Sequence, residues 1–149
     1  MVATNAGSEP EGFSAAEREA MKQRAAELRA EGRKGAKKAD ALQAVLDRIA
    51  DMAPQDRVLA ERVHATVTAT APQLWPKTWY GMPAYANEAG KVVVFFQDAG
   101  KFEARYATLG FQDAADLDDG EMWPTSFALT GWNPTVEARV TALVKAAVG

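Results

Sequence analysis

The sequence predicts an α+β two-layer sandwich in which a mainly antiparallel sheet is packed by helices and preceded by an extra N-terminal helical arm. Three observations carry this. Helical hydrophobic spacing dominates the first half of the chain; a cluster of strand signals around Lys91–Gln97 follows; and a proline-started amphipathic helix closes the chain. Helices, then a meander, then a helix is the order expected of an α+β domain. The 149 residues suit one domain, divided as a lead and arm over 1–39 and a packed domain over 40–149.

Met1–Gly12 mixes small and polar residues and reads as a disordered lead. Ser14 and Glu17 form a capping box, so a helix starts there and runs toward Glu31. Its large apolar residues are Met21 and Leu28. Burying two such side chains gains only ~3–6 kcal/mol, so the arm is expected to lean weakly on the domain or to pair with another chain. Gly32 and Gly35 break it. Asp40 with Gln43 reads as a second capping box, and Leu42, Val45, Leu46, Ile49 and Met52 share one helical face. Pro54 opens a third helix to about Thr70, with Leu59, Val63 and Val67 inward.

Strands follow. Trp79–Tyr80 and Ala84–Ala86 read as short strands flanking a turn or bulge at Gly81-Met82-Pro83, because Pro83 has no amide to give a ladder. Lys91–Gln97 is apolar on both faces, as in a central strand. Asp98-Ala99-Gly100 reads as a tight hairpin loop and Lys101–Thr108 as the returning strand, with Lys101, Glu103 and Arg105 on its wet face. Phe111–Leu117 suggests a short helix, Asp118-Asp119-Gly120 a turn and Ser126–Thr130 a last strand. Asn133 caps a final helix with Pro134 at its first position and Val136, Val140, Leu143 and Val144 inward.

The blocks Trp79-Tyr80-Gly81-Met82-Pro83-Ala84-Tyr85, Lys91–Phe96, Tyr106–Phe111, and Leu117–Gly120 through Trp123-Pro124 resemble the YdhG-like family. The resemblance covers roughly Asp40 to Val148. It implies a compact sheet with helices beside it, in a bacterial domain family largely of unknown function. One branch of that family is described as a frataxin-like iron chaperone. Frataxin's acidic ridge lies on its first helix and adjoining sheet edge, so no iron ligand carries over residue by residue.

Composition narrows the chemistry. With no cysteine there is no disulfide, thiolate metal site or thiol nucleophile. The net charge of −3 argues against a nucleic-acid partner. The stretch Arg33–Lys38 is the one basic run; it suits a solvated linker, or a contact to an acidic partner. No apolar run is long enough to cross a membrane, and no signal peptide is evident, so a cytoplasmic location is expected. His64 is the single histidine; although Glu61 precedes it at the Glu-x-x-His spacing of di-iron bundles, the second such pair is missing. No glycine-rich phosphate loop and no nucleophile–base set assembles, which leans away from an enzyme.

Two surfaces remain. Among the aromatics Trp75, Trp79, Tyr80, Tyr85, Tyr106 and Trp123, the residues Tyr80, Tyr85, Lys101 and Arg105 are candidates to bind a small molecule or protein partner; core packing is the competing use of the same rings. The acidic stretch Asp113, Asp116, Asp118, Asp119 and Glu121 offers oxygen ligands for a hard cation, iron in the chaperone alternative. Its spacing is not an EF-hand, and turn-forming, solubilising aspartates would look the same. A third alternative is an interaction module acting through the N-terminal helix.

Overall fold

A computed structural model describes residues 12–31 and 37–149. The lead over 1–11, the glycine break at 32 and 35, and residues 33–36 of the basic run lie outside them. The elements are α1 (Ala15–Glu31), α2 (Lys38–Ala50), α3 (Pro54–Thr70), β1 (Trp75–Trp79), β2 (Met82–Ala86), β3 (Val92–Gln97), β4 (Ala107–Phe111), β5 (Ser126–Leu129) and α4 (Pro134–Ala147). The five strands form one antiparallel meander in sequence order.

Strand register sorts the side chains into two faces. The row Pro76–Tyr85–Val94–Phe111 and the row Phe96–Leu109–Phe127 face one way. Most of these side chains enter the core with Val45 and Ile49 of α2, Leu59, Val63 and Val67 of α3, and Val140 and Val144 of α4. Lys77, Ala84, Phe95, Gly110 and Ser126 form a row on the opposite, outer face. There the Phe95 ring lies across Gly110, where any Cβ would collide with it, and Trp79 packs on Phe95 with centroids 5.3 Å apart.

Helix starts follow local chemistry. Ser14 and Glu17 exchange backbone-to-side-chain bonds of 2.8 and 3.0 Å, completing the first capping box. Asn133 accepts from the Val136 amide at 2.8 Å, with Pro134 at the first turn of α4. The expected box at Asp40 does not form: α2 begins at Lys38, capped by Lys37 without a side-chain bond, and Gln43 instead donates to Asp47. The helix propensity of the Lys-Ala-Asp-Ala run extends α2 past the polar pair. On α2, Leu46 is exposed, Leu42 is half-buried and Val45 and Ile49 are buried, while Met52, also buried, lies just past the helix end.

Three strand-region expectations are corrected. The β1–β2 connection is a two-residue turn at Tyr80-Gly81, with φ of 53° and 76°, and Met82-Pro83 belong to β2. Pro83 pairs with Thr78. By strand alternation its missing amide then points toward β3, and the β2–β3 ladder starts only at Ala84. Secondly, Lys101–Ala104 are not strand. A loop spans 98–106, closed by bonds from the Glu103 amide to Gly100 and from the Ala104 amide to Ala99, with Glu103 at φ 53°. Alternation in sequence gave way to turn closure, so Lys101 and Arg105 share no strand face. Thirdly, Phe111 ends β4 and no helix follows; the chain turns over 113–115, and the Asp116 amide donates to the Ala147 carbonyl of α4.

The loop between β3 and β4 is anchored from below. Asp56, in the first turn of α3 and only 6% exposed, accepts from the Ala99 and Gly100 amides at 3.1 and 2.9 Å. Arg48 of α2 holds Asp98 through both carboxylate oxygens at 3.0 and 3.2 Å.

Candidate functional site

The four predicted ligand-binding residues occupy different places. Tyr85 is 1% exposed inside the core, and its hydroxyl lies 2.8 Å from Nδ1 of His64 on α3. Burial raises the Tyr85 phenol well above its usual range and lowers the imidazole, so both groups are held neutral, and the tautomer of His64 sets which of them donates. The sole histidine is thereby engaged in a core hydrogen bond. Tyr80 lies at the β1–β2 turn, Lys101 in the β3–β4 loop beside it, and Arg105 is exposed with its guanidinium 5.1 Å from the Tyr106 ring centre. Tyr80 and Lys101 are brought near each other by α1; Tyr85 faces the opposite layer and Arg105 stays apart.

The helix α1 buries little apart from Ala20, as the scarcity of large apolar residues implied, and Leu28 is exposed. Polar contacts hold it instead. The Glu27 carboxylate accepts from the Tyr80 and Gly81 amides, one oxygen each, at 2.9 and 3.0 Å. Lys101 donates to Gln23, Lys77 pairs with Glu31 at 3.1 Å, and Arg24 sits 5.8 Å over the Tyr80 ring. Gln23, Glu27 and Glu31 recur every four residues and so share a helix face. The four-residue spacing is a property of the sequence; its target, two amides of a turn, is set by the tertiary contact. Burial, reinforced by the Arg48 charge, lowers the Lys101 ammonium below the usual lysine range. A non-glycine residue in the left-handed region costs roughly 1–2 kcal/mol, so the turn carries strain at Tyr80, the residue whose amide meets Glu27.

Beside this contact lies a cleft of about 970 Å³ between the C-terminal end of α1, the start of α2, the β1 edge and the β2–β3 turn. Alanines from four elements and the loop after β4 make it hollow: Ala30, Ala41, Ala44, Ala86, Ala114 and Ala147, with Leu74 and Val93 among them. Trp75, exposed on the β1 edge, and the Lys77–Glu31 pair stand on its wall with Asp40 and Lys37. Its size, and a wall that mixes aliphatic side chains with ionic and amide groups, are compatible with a small-ligand site. Sequence reasoning marked Trp75 within the aromatic collection but not the alanines. Small residues announce a cavity only once the elements carrying them are placed around it.

The acidic residues Asp113, Asp116, Asp118, Asp119 and Glu121 are all exposed along an irregular segment with a turn at Gly120-Glu121, not on a helix face. Among the described residues no three histidine, aspartate or glutamate side chains converge as a cation site would require. Nor is any described helix long and apolar enough to cross a membrane. Comparison of the chain with protein-family models, with curated proteins and with solved structures found no match.

Proposed function

We propose that this is a binding protein for a small organic molecule, held in the cleft between α1, α2 and the β1 edge. The observation that carries the reading is the cleft itself, about 970 Å³ walled by alanines and edged by Trp75 and the Lys77–Glu31 pair. An apolar body would lie against Leu74, Val93 and the alanines, and a polar or charged end would meet Lys77, Glu31 or Asp40. On its sequence blocks the domain is proposed as YdhG-like, which brings no ligand identity with it.

A metabolite screen by thermal shift tests the reading, run in parallel on the wild type and on Ala44→Trp. Ala44 is exposed on the cleft wall, so an indole there fills the space at little cost to the core. A ligand at a hundred times its Kd adds about 2.7 kcal/mol of stability. A compound class that raises Tm in the wild type and not in Ala44→Trp identifies the site. No responding class, or equal responses in the two proteins, rejects it.

A further inference from the structure

The contact between α1 and the β1–β2 turn has the form of a receptor and its occupant. Two consecutive backbone amides, Tyr80 and Gly81, point the same way because both residues are left-handed, and they take the two oxygens of one carboxylate. Consecutive amides in such a concavity form an anion-binding nest. Glycine at 81 is what permits the approach, since a Cβ there would collide with the Gln23 carboxamide and crowd the Lys101 ammonium. Cations stand on both sides: Lys77 along β1 toward one end of the helix, and Lys101 in the neighbouring loop toward the other. The surface therefore reads a helix by polar groups four residues apart, first an acceptor, then a carboxylate, then a second carboxylate.

We propose that this surface is a recognition site for acidic helical segments, and that the Gln23, Glu27 and Glu31 stripe of α1 is its resident occupant in cis. The partner class is a helix of another polypeptide carrying carboxylates at positions i and i+4. Charge complementarity selects it: the surface offers Lys77, Lys101 and two amides, while the nearby Asp98 is taken up by Arg48. The arm is exchangeable for a physical reason. Apart from Ala20 it contributes little buried apolar surface, so its hold consists of polar contacts that water and salt can replace. Its advantage over a partner is its covalent attachment, which acts as a high local concentration. Displacing α1 also removes one wall of the ligand cleft, because Glu27, Ala30 and Glu31 line it. The site itself does not depend on that cleft holding a ligand.

The test uses the full chain with its own occupant weakened, as the Glu27→Ala/Glu31→Ala variant, and a fluorescent peptide spanning residues 13–31 as the probe. Anisotropy should show the peptide binding this variant at least tenfold more tightly than the wild type, whose arm competes. A peptide carrying Glu27→Gln and Glu31→Gln should bind at least tenfold more weakly, and the difference should shrink as salt rises. In amide NMR spectra, the Tyr80 and Gly81 signals should shift in the variant and return toward their wild-type positions on adding the peptide. These two signals also report whether the turn of the variant is still folded. Absence of peptide binding to the variant, equal binding of the glutamine peptide, or binding that leaves both amide signals unmoved would each overturn the proposal. The thermal-shift response to cleft ligands in wild type is a separate readout, so either idea can fail alone.

Discussion

Replacing Asp56 by alanine is expected to be among the more damaging polar substitutions in the chain. Among the described residues, its carboxylate, buried at the start of α3, is the only side chain that bonds the Ala99 and Gly100 amides. A hydrogen bond to a charged group contributes roughly 1.5–3 kcal/mol. The loop is partly open, so water can reach the freed amides and offset some of the loss. Loss of a negative charge from a helix N-terminus adds a few tenths to ~1 kcal/mol. The expected net is ~2–4 kcal/mol. With a urea m-value of ~2 kcal/mol/M for a chain of this size, the denaturation midpoint should fall by ~1–2 M. Asp56→Asn keeps one acceptor oxygen and no charge, and should fall between wild type and alanine. Arg48→Ala should cost a comparable amount by leaving Asp98, whose side chain is 4% exposed, without its counter-charge. Because both clamps hold the same loop, the double variant should lose less than the sum of the singles. A midpoint shift below ~0.3 M for Asp56→Ala, or strict additivity with Arg48→Ala, would refute the view of one jointly clamped loop.

Other expectations follow from the same structure. His64 has its pKa lowered from 6.5 by burial, so the folded protein takes up the proton less readily than the unfolded chain. Stability should therefore rise with pH from the depressed folded value up to about 6.5 and level off above it, and His64→Gln should remove that part of the slope in pH-dependent urea melts. Tyr85→Phe should cost ~1 kcal/mol for the lost hydrogen bond; an NMR titration of the His64 ring should then show a changed pKa, and an unmoved one would deny the contact. Gly110→Ala places a methyl into the Phe95 ring and should destabilise the fold by ~1–3 kcal/mol; Phe95→Leu in the same chain should recover part of this in a thermal melt. Gly81→Ala strains a turn at φ 76° and should raise protease sensitivity within α1 while leaving the core's near-ultraviolet circular dichroism unchanged.

The fold was largely legible because its core is written in periodicity. Val45 and Ile49, Leu59, Val63 and Val67, and Val140 and Val144 recur at helical spacing and all enter one cluster with the sheet. Short-range chemistry was also legible where a side chain answers a backbone group within a few residues, as at Ser14 with Glu17 and at Asn133. Competition between two local signals was where reading failed. Lys101–Thr108 alternates like a strand, yet Glu103 and Ala104 close a loop back onto Gly100 and Ala99, whose amides are held by Asp56, 44 and 43 positions away in sequence. Phe111–Leu117 carries helical spacing, yet its backbone is drawn to α4 through Asp116 and Ala147.

The candidate sites divide in the same way. By itself the sequence determined which residues are apolar, which are charged and at what period, and hence packed helices before and after an antiparallel meander and a weakly apolar arm. Only the tertiary structure decided that Tyr85 meets His64 in the core, that alanines from separate elements enclose a cleft, and that Glu27 reaches the amides of a turn 53 and 54 residues further along the chain. The physical reason is that a period is a property of neighbours along the chain. A cavity or a carboxylate seated on two amides exists only between segments that packing has brought together.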